Sequence, residues 1–198
     1  MGKRIVLAGV LGGIVLFMWE AVAHMALPLG DTGIKALSNE DAVRASLKQN
    51  IAQSGFYFFP AGGMGSSLPR EQQQAAMAKA EEQWRTEMAG IMVVHPNGRD
   101  IGLSRQLTIQ ALCDILLALI AAGLLAQASW LPYLGRVAFV GTLGLFPFVG
   151  SELPFWNWYG FPTNYTFAQL TIHIVGFLVA GLVIAGFVRG VAATRSVV

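Results

Sequence analysis

Charged residues and cysteine are scarce in this 198-residue chain, and both shortages limit what it can be. Asp, Glu, Lys and Arg make up 12% of the residues, whereas soluble domains contain about 25%. A net charge of +2 without a basic cluster excludes the electrostatic footprint of a nucleic-acid-binding protein. Cys113 is the single cysteine, which excludes an intramolecular disulfide and a zinc site built from several cysteines.

Apolar sequence is abundant instead, since hydrophobic residues make up 55% of the chain. A helix needs about 20 mostly apolar residues to cross the hydrocarbon core of a bilayer. Windows of this kind are helical because every backbone group in hydrocarbon must be bonded within its own segment. The sequence therefore predicts an all-α integral membrane protein with four transmembrane helices. The four windows are 5–25, 107–129, 133–150 and 167–188.

The first window has a second interpretation. Lys3 and Arg4, the apolar run, and Ala21-Val22-Ala23 before His24 are also typical of a secretory signal peptide with its cleavage site. The apolar run is longer than a usual signal core, however, and Glu20 interrupts it before the site. We therefore predict that residues 1–25 are a retained transmembrane helix.

Basic residues close to the ends of the windows predict the orientation. If the N-terminus is inside, the cytoplasmic segments contain five basic residues and no acidic one, while residues 26–106 lie outside with a balanced charge. We predict a bacterial-type inner-membrane protein with both termini in the cytoplasm and residues 26–106 in the periplasm. Residues 107–198 then contain helices two to four, a short cytoplasmic turn and an aromatic outer loop. The five basic residues are Lys3, Arg4, Arg136, Arg189 and Arg195.

The segment between the first two windows, residues 26–106, is too long and too patterned for a plain loop. Ser38-Asn39-Glu40-Asp41 predicts a helix start with a capping hydroxyl and acids in the first turn. This helix is expected to run to about Gln53. An aromatic strand over 56–59 and a glycine-rich link over 61–67 follow.

The same order then occurs again. A second helix is predicted from Pro69 to about Met88, followed by a strand over 91–94. Asn97-Gly98 is a turn signal, which predicts that this strand folds back through residues 101–103 as a hairpin. The repeat indicates a small αβ extracytoplasmic insertion. It is interpreted as a cap on the outer face of the membrane, or alternatively as a docking or ligand-sensing module.

Ionisable residues inside spanning helices are costly to bury and are functional-site hypotheses by default. Glu20, Asp114 and His173 are predicted to lie at one depth near the outer boundary, on three different helices. Each has a polar residue four positions away on the same helical face. The predicted intramembrane polar layer, with a binding or a structural role, consists of Glu20, His24, Gln110, Asp114, Glu152, Gln169 and His173.

Three roles for this layer remain open. Its side chains can hold the helices together through hydrogen bonds. They can bind iron, zinc or copper through two histidines, Glu20 and Asp114, or a haem between His24 and His173. An Asp114–His173 pair can also handle protons or a solute. No catalytic residue and no cofactor are predicted, and a metal ion or haem is kept as the alternative.

Two further patterns concern packing. Small residues four positions apart, beginning at Gly9, Gly176 and Gly181, predict close helix contacts inside the chain. The outer segment 152–162 contains two prolines that are expected to break helix. Its aromatic residues predict contact with a partner or with lipid headgroups. These contact residues are Trp156, Trp158, Tyr159 and Phe161.

No motif here is specific for a catalytic reaction, so the function is predicted from class and size. We expect an integral inner-membrane accessory or assembly subunit that packs in the lipid bilayer against other membrane protein subunits. The alternative is a small transporter or membrane metalloenzyme that uses Glu20, His24, Asp114 and His173.

Overall fold

The computed structural model describes residues 2–64 and 66–189. Both chain termini lie outside the described residues, as do Arg195 of the orientation argument and Gly65 of the predicted link. The described part is mostly helical, with a small two-stranded sheet between its first and second long apolar helices. In chain order the elements are α1 (Gly2–Met25), α2 (Glu40–Asn50), β1 (Gly55–Phe59), α3 (Arg70–Thr86), β2 (Gly90–Val94), α4 (Leu103–Gln127), α5 (Tyr133–Tyr159) and α6 (Thr163–Phe187).

Internal contacts divide the chain into two units. A helical unit consists of the chain up to Ile34 together with the chain from Ile101 onward, and an αβ unit consists of Lys35–Asp100. The helical unit contains α1, α4, α5 and α6, each long and apolar enough to cross a membrane by length and composition. These four helices suggest a multi-pass membrane protein.

Helices α4 and α6 each begin four residues before the apolar window predicted for them, at Leu103 and Thr163. The polar residues of these first turns do not belong to a hydrocarbon window, but they are compatible with helical geometry. Asp114 and His173 therefore lie about one turn farther from the starts of their helices than the windows predicted.

The predicted end of the third spanning helix at Gly150 is wrong, because α5 continues to Tyr159. Pro147 has no N–H to donate, and directly after it the helix widens into a π-helical turn over Phe148–Glu152. The segment Leu153–Tyr159 then resumes α-helical geometry with Pro154 in its first turn, where proline is tolerated, so Pro154 does not break the helix.

The four long helices pack as a row in the order α4, α1, α6, α5. Extensive contacts join α1 to α4, α1 to α6 and α5 to α6, whereas α4 and α5 touch little. The core between these helices is built from alanines and a few larger side chains such as Leu125 and Ile184. Helices at the two ends of the row thus have one extensive neighbour each.

Glycines set the helix–helix distance in this row. A Cβ on Gly13 would lie 2.4 Å from the Cα of Ile115, and one on Gly9 would lie 2.7 Å from the Cα of Leu119. The backbones of α1 and α4 can approach this closely only because no side chain intervenes. On α6, Gly176 faces α1 and Gly181 faces α5. These contacts confirm that the small residues serve packing inside the chain.

The αβ unit pairs β1 with β2 antiparallel, with Phe56 opposite Val93. The predicted hairpin through residues 101–103 is therefore wrong, since residues 101 and 102 form no strand and Leu103 begins α4. The five-residue aromatic strand β1 offers a longer partner than those three residues. The turn after β2 exists, with Gly98 at a φ of +80° donating its N–H to the carbonyl of His95 at 3.0 Å.

The cap of helix α2 is Asn39, one residue later than the predicted cap Ser38. The side chain of Asn39 accepts a hydrogen bond from the N–H of Ala42 at 3.1 Å, so an amide oxygen replaces the predicted hydroxyl of Ser38. Helix α3 packs its Trp84 edge-on against Phe58 of the sheet, with ring centroids 5.0 Å apart. The indole N–H of Trp84 also donates to the carbonyl of Pro60 at 2.9 Å.

Candidate functional site

Three polar side chains meet where α1 and α4 pack together. The amide Nε2 of Gln110 donates to Oε2 of Glu20 at 2.8 Å and to Oδ1 of Asp114 at 3.1 Å. Gln110 and Asp114 are one turn apart on α4, and the close glycine contacts of α1 bring Glu20 within reach of both. One amide thus bridges two carboxyl groups on different helices.

Burial differs strongly within this group. Asp114 has no exposed surface, Glu20 is half-buried and the side chain of Gln110 is exposed. The second carboxyl oxygen of Asp114, Oδ2, is buried and has no hydrogen-bond partner within residues 2–64 and 66–189. Both hydrogens of the Gln110 amide are already directed at carboxyl oxygens, so the group contains more acceptors than donors.

His24 lies one turn beyond Glu20 but does not bond to its carboxyl group. Its Nδ1 is 2.9 Å from the backbone carbonyl of Glu20, and because a carbonyl only accepts, Nδ1 carries the hydrogen. The ring of His24 is exposed.

His173 on α6 is not joined to the Glu20 and Asp114 group. Its Nε2 is buried and has no hydrogen-bond partner in the described part of the chain, the half-buried Gln169 included. Its backbone carbonyl lies against α5, since a Cβ on Gly144 would be 2.6 Å from it. The structure therefore brings together three members of the predicted layer and leaves His173 apart from them.

The possible metal ligands of the described residues are not clustered. Among the described residues, no group of three or more His, Cys, Asp or Glu side chains is arranged to hold a metal ion. Glu20 and Asp114 supply only two such groups, and the Gln110 N–H donors point at them. The metal alternative therefore has no assembled ligand set in this part of the chain.

Glu152 and the outer aromatic residues form a separate cluster on α5 and α6. Glu152 ends the π-helical turn, half-buried, and acts electrostatically on Tyr165. The rings of Phe155, Phe161 and Tyr165 follow one another with centroids 5.4 and 5.5 Å apart. Two of the predicted contact residues are held within the chain: Phe161 in this stack, and Tyr159 by a ring contact with Phe155 at 5.8 Å.

The two tryptophans of the predicted contact set differ. Trp156 donates its indole N–H to Oγ1 of Thr163 at 3.2 Å, and together with Phe148 and Phe167 it lines an apolar cavity of about 90 Å³. Trp158 is 74% exposed, which leaves it the most available of the four for contact outside the chain.

Two residues with clear structural roles were missed as sites by sequence reasoning. Trp19 donates its indole N–H to the carbonyl of Ile172 at 2.9 Å and packs against Gly176, so it joins α1 to α6. Arg136, considered only as a cytoplasmic charge, is 9% exposed and donates twice to the backbone carbonyl of Ala185 on α6. The signal for Trp19 was its N–H, which a buried indole must satisfy.

The αβ unit contains one open cavity of about 440 Å³ between α2 and the turn after β2. Arg44, Lys48 and His95 line it together with Asp41. All four side chains are exposed, and Arg44 is paired with Asp41 at 3.6 Å. The cavity therefore presents solvated surface charges and no buried polar group.

No protein-family model, curated protein or solved structure matches this chain. The function is therefore argued from the packing of the helices and from the Glu20, Gln110 and Asp114 group.

Proposed function

We propose that the protein is an integral inner-membrane accessory or assembly subunit that packs against other membrane protein subunits. The observation that supports this role is the open row of helices α4, α1, α6 and α5. A closed bundle would cover α4 and α5 with each other, but here each of them has one extensive neighbour. Their remaining faces are available to lipid or to helices of a partner.

The surface left open is large. Between 28% and 39% of the residues in the apolar stretch of each long helix are buried inside the chain. Leu116 and Ile120 on α4, and Phe146 on α5, are each more than half exposed. Lipid tails are as apolar as these side chains, so a partner is selected by fit of the packed surfaces and not by hydrophobicity.

Orientation is part of the same proposal. The basic residues near the helix ends support cytoplasmic termini and a periplasmic location for residues 26–106. Reporter fusions test it: a reporter joined after Val198 is expected to be active only if it works in the cytoplasm, and one inserted within residues 61–67 is expected to behave as exported. An exported C-terminus contradicts the arrangement.

Photocrosslinking in cells tests the partner. A photoreactive amino acid at Leu116 or Ile120 of α4 is expected to yield one discrete product heavier than the chain, the same at both positions. Leu125 on the same helix, which is fully buried, is the matched control and should give no such product. Products with lipid alone at Leu116, Ile120 and Phe146 contradict the accessory role.

A small transporter is the second candidate function, and one observation favours it. Asp114 is fully buried in the middle of an apolar helix, and its Oδ2 has no partner among the described residues. Charged groups at such depth mark ion or proton pathways in membrane proteins. The metalloenzyme alternative has no comparable support, because the described residues assemble no three-ligand group.

A further inference from the structure

We propose that Glu20 and Asp114 form a proton-binding site, in which the two carboxyl groups hold one exchangeable proton across the amide of Gln110. The inference goes beyond the accessory role and does not rest on it. If the chain is a transporter, the inference also names the species that its buried site takes up.

The carboxyl groups of Glu20 and Asp114 lie close together. Oε2 of Glu20 and Oδ1 of Asp114 both bond to the same nitrogen, at 2.8 and 3.1 Å, so they are no farther apart than the sum of these distances. Two ionised carboxylates this close repel each other, and more strongly where one of them has no contact with solvent. One proton removes one of the two charges.

Neither carboxyl group is paired with a counter-charge among the described residues. The salt bridges of the described residues all lie in the αβ unit and involve Arg44 and Arg85. Glu20 and Asp114 therefore have no Lys or Arg partner among the described residues. A buried charge without a partner is expensive, and such groups neutralise by taking a proton.

The hydrogen bonds of this group include too few donors. The NH2 of Gln110 supplies its two hydrogens to Glu20 and Asp114, and Oδ2 of Asp114 still lacks a donor. A carboxyl group that carries a proton becomes a donor itself. One proton thus removes one of the two negative charges and lowers the cost of leaving Oδ2 without a donor, and it belongs to the pair more than to either residue.

A metal cation fits the same atoms less well. A hard cation takes six or more oxygen ligands, and it would draw the Gln110 oxygen inward. Here the donor side of that amide faces both carboxyl groups. No three-group metal arrangement exists among residues 2–64 and 66–189. The proton is the ligand that needs only two oxygens.

Other titratable groups around the pair are on all four helices. Besides Asp114, the titratable group nearest to Glu20 on its own helix is His24, which is exposed one turn nearer the end of α1. The remaining groups on the packed helices are Arg105, Cys113, Glu152, Tyr159, Tyr165 and His173, with Lys3, Arg4, Tyr133 and Arg136 toward the opposite end, where Arg189 follows α6.

Infrared difference spectroscopy on the full chain in lipid nanodiscs tests the site. On stepping the pH around neutrality, we expect the C=O band of a protonated carboxylic acid, shifted in D2O. The band should be lost in Asp114→Asn, which removes the fully buried carboxyl group, and weakened in Glu20→Gln, which removes the like charge but leaves Asp114 buried without a counter-charge. Glu152→Gln is the matched control and should retain it.

Two variants keep the test independent of folding, since Glu20 is only half-buried and its amide variant is the milder change. Far-UV circular dichroism checks that each variant keeps its helices and is folded. A band that survives in both variants overturns the proposal, and so does one that disappears in Glu152→Gln. A band displaced by Na⁺ but not by choline also overturns it, in favour of a cation site.

Discussion

The helical unit buries two charged side chains in different regions and satisfies them differently. Near the start of α5, Arg136 donates to the carbonyl of Ala185 from Nε at 3.3 Å and from Nη2 at 3.1 Å, and to the carbonyl of Leu131 from Nη1 at 2.7 Å. Its guanidinium also lies 5.9 Å from the ring centroid of Tyr133. In the middle of α4, Asp114 accepts one bond from Gln110 and leaves Oδ2 without a partner.

The positions of the two residues explain this difference. Helix α6 ends at Phe187, so the carbonyl of Ala185 is one of the last four, which have no donor within the helix. A cation at this end also matches the negative end of the helix dipole. Asp114 lies where every backbone N–H of α4 is used by the helix, so no backbone donor is available to it. A helix end can satisfy a buried cation, whereas a helix middle cannot satisfy a buried anion.

The largest effect is expected from removing the guanidinium. Arg136→Met keeps most of the apolar stem but leaves the carbonyls of Ala185 and Leu131 without donors. We expect the free energy of unfolding to fall by about 2–4 kcal/mol. Arg136→Lys keeps the charge and part of the bonding, and should lose less. Denaturation in mixed micelles, followed by circular dichroism, measures both, and a stable Arg136→Met variant contradicts a capping role.

The next largest effect concerns the close glycine contacts between helices. Gly13→Ala places a Cβ against the backbone of Ile115, and Gly144→Ala places one 2.6 Å from the carbonyl oxygen of His173. Since backbone cannot move aside as a side chain can, we expect each to lose about 1–3 kcal/mol of stability. Gly123→Ala on α4 meets nothing within 4 Å and is the control. Equal stability of all three variants would show that the helices move apart to admit the added methyl group at little cost, which contradicts the expected loss.

The smallest effect is expected from replacing the buried carboxyl group of Asp114 with an amide. Asp114→Asn keeps an oxygen for the Gln110 bond and removes the carboxyl oxygen that has no partner, so the free energy of unfolding should change by about 1 kcal/mol or less. His173→Gln should be equally mild. The same micelle assay measures them. A loss as large as that of Arg136→Met would mean that Asp114 serves the fold in the way that Arg136 does.

Much of the fold could be predicted because the signals are local. Four apolar runs predicted the long helices. The order of helix, glycine and apolar strand, which occurs twice, predicted the elements of the αβ unit. The errors came where a residue had two compatible roles. Pro154 reads as a helix breaker but sits in a first turn, and residues 101–103 read as a strand but lead into α4.

The candidate site was predictable only as a set of polar residues at similar heights. The sequence did not indicate that Gln110 bridges Glu20 and Asp114, that His24 bonds to a backbone carbonyl, or that His173 is apart from them. These contacts depend on which helices are neighbours and how far one slides along another. Glycine spacing limits that choice but does not select it.

By itself, the sequence determined the type and approximate length of each element, because hydrophobic runs, caps and turn residues act within a few positions of one another. Tertiary structure alone decided which polar groups meet. Helix packing places Gln110 against Glu20, and it places Arg136 at the end of α6. The same packing decides whether a buried charge finds donors or acceptors, since hydrogen bonds form over about 3 Å while the residues that make them are far apart in the chain.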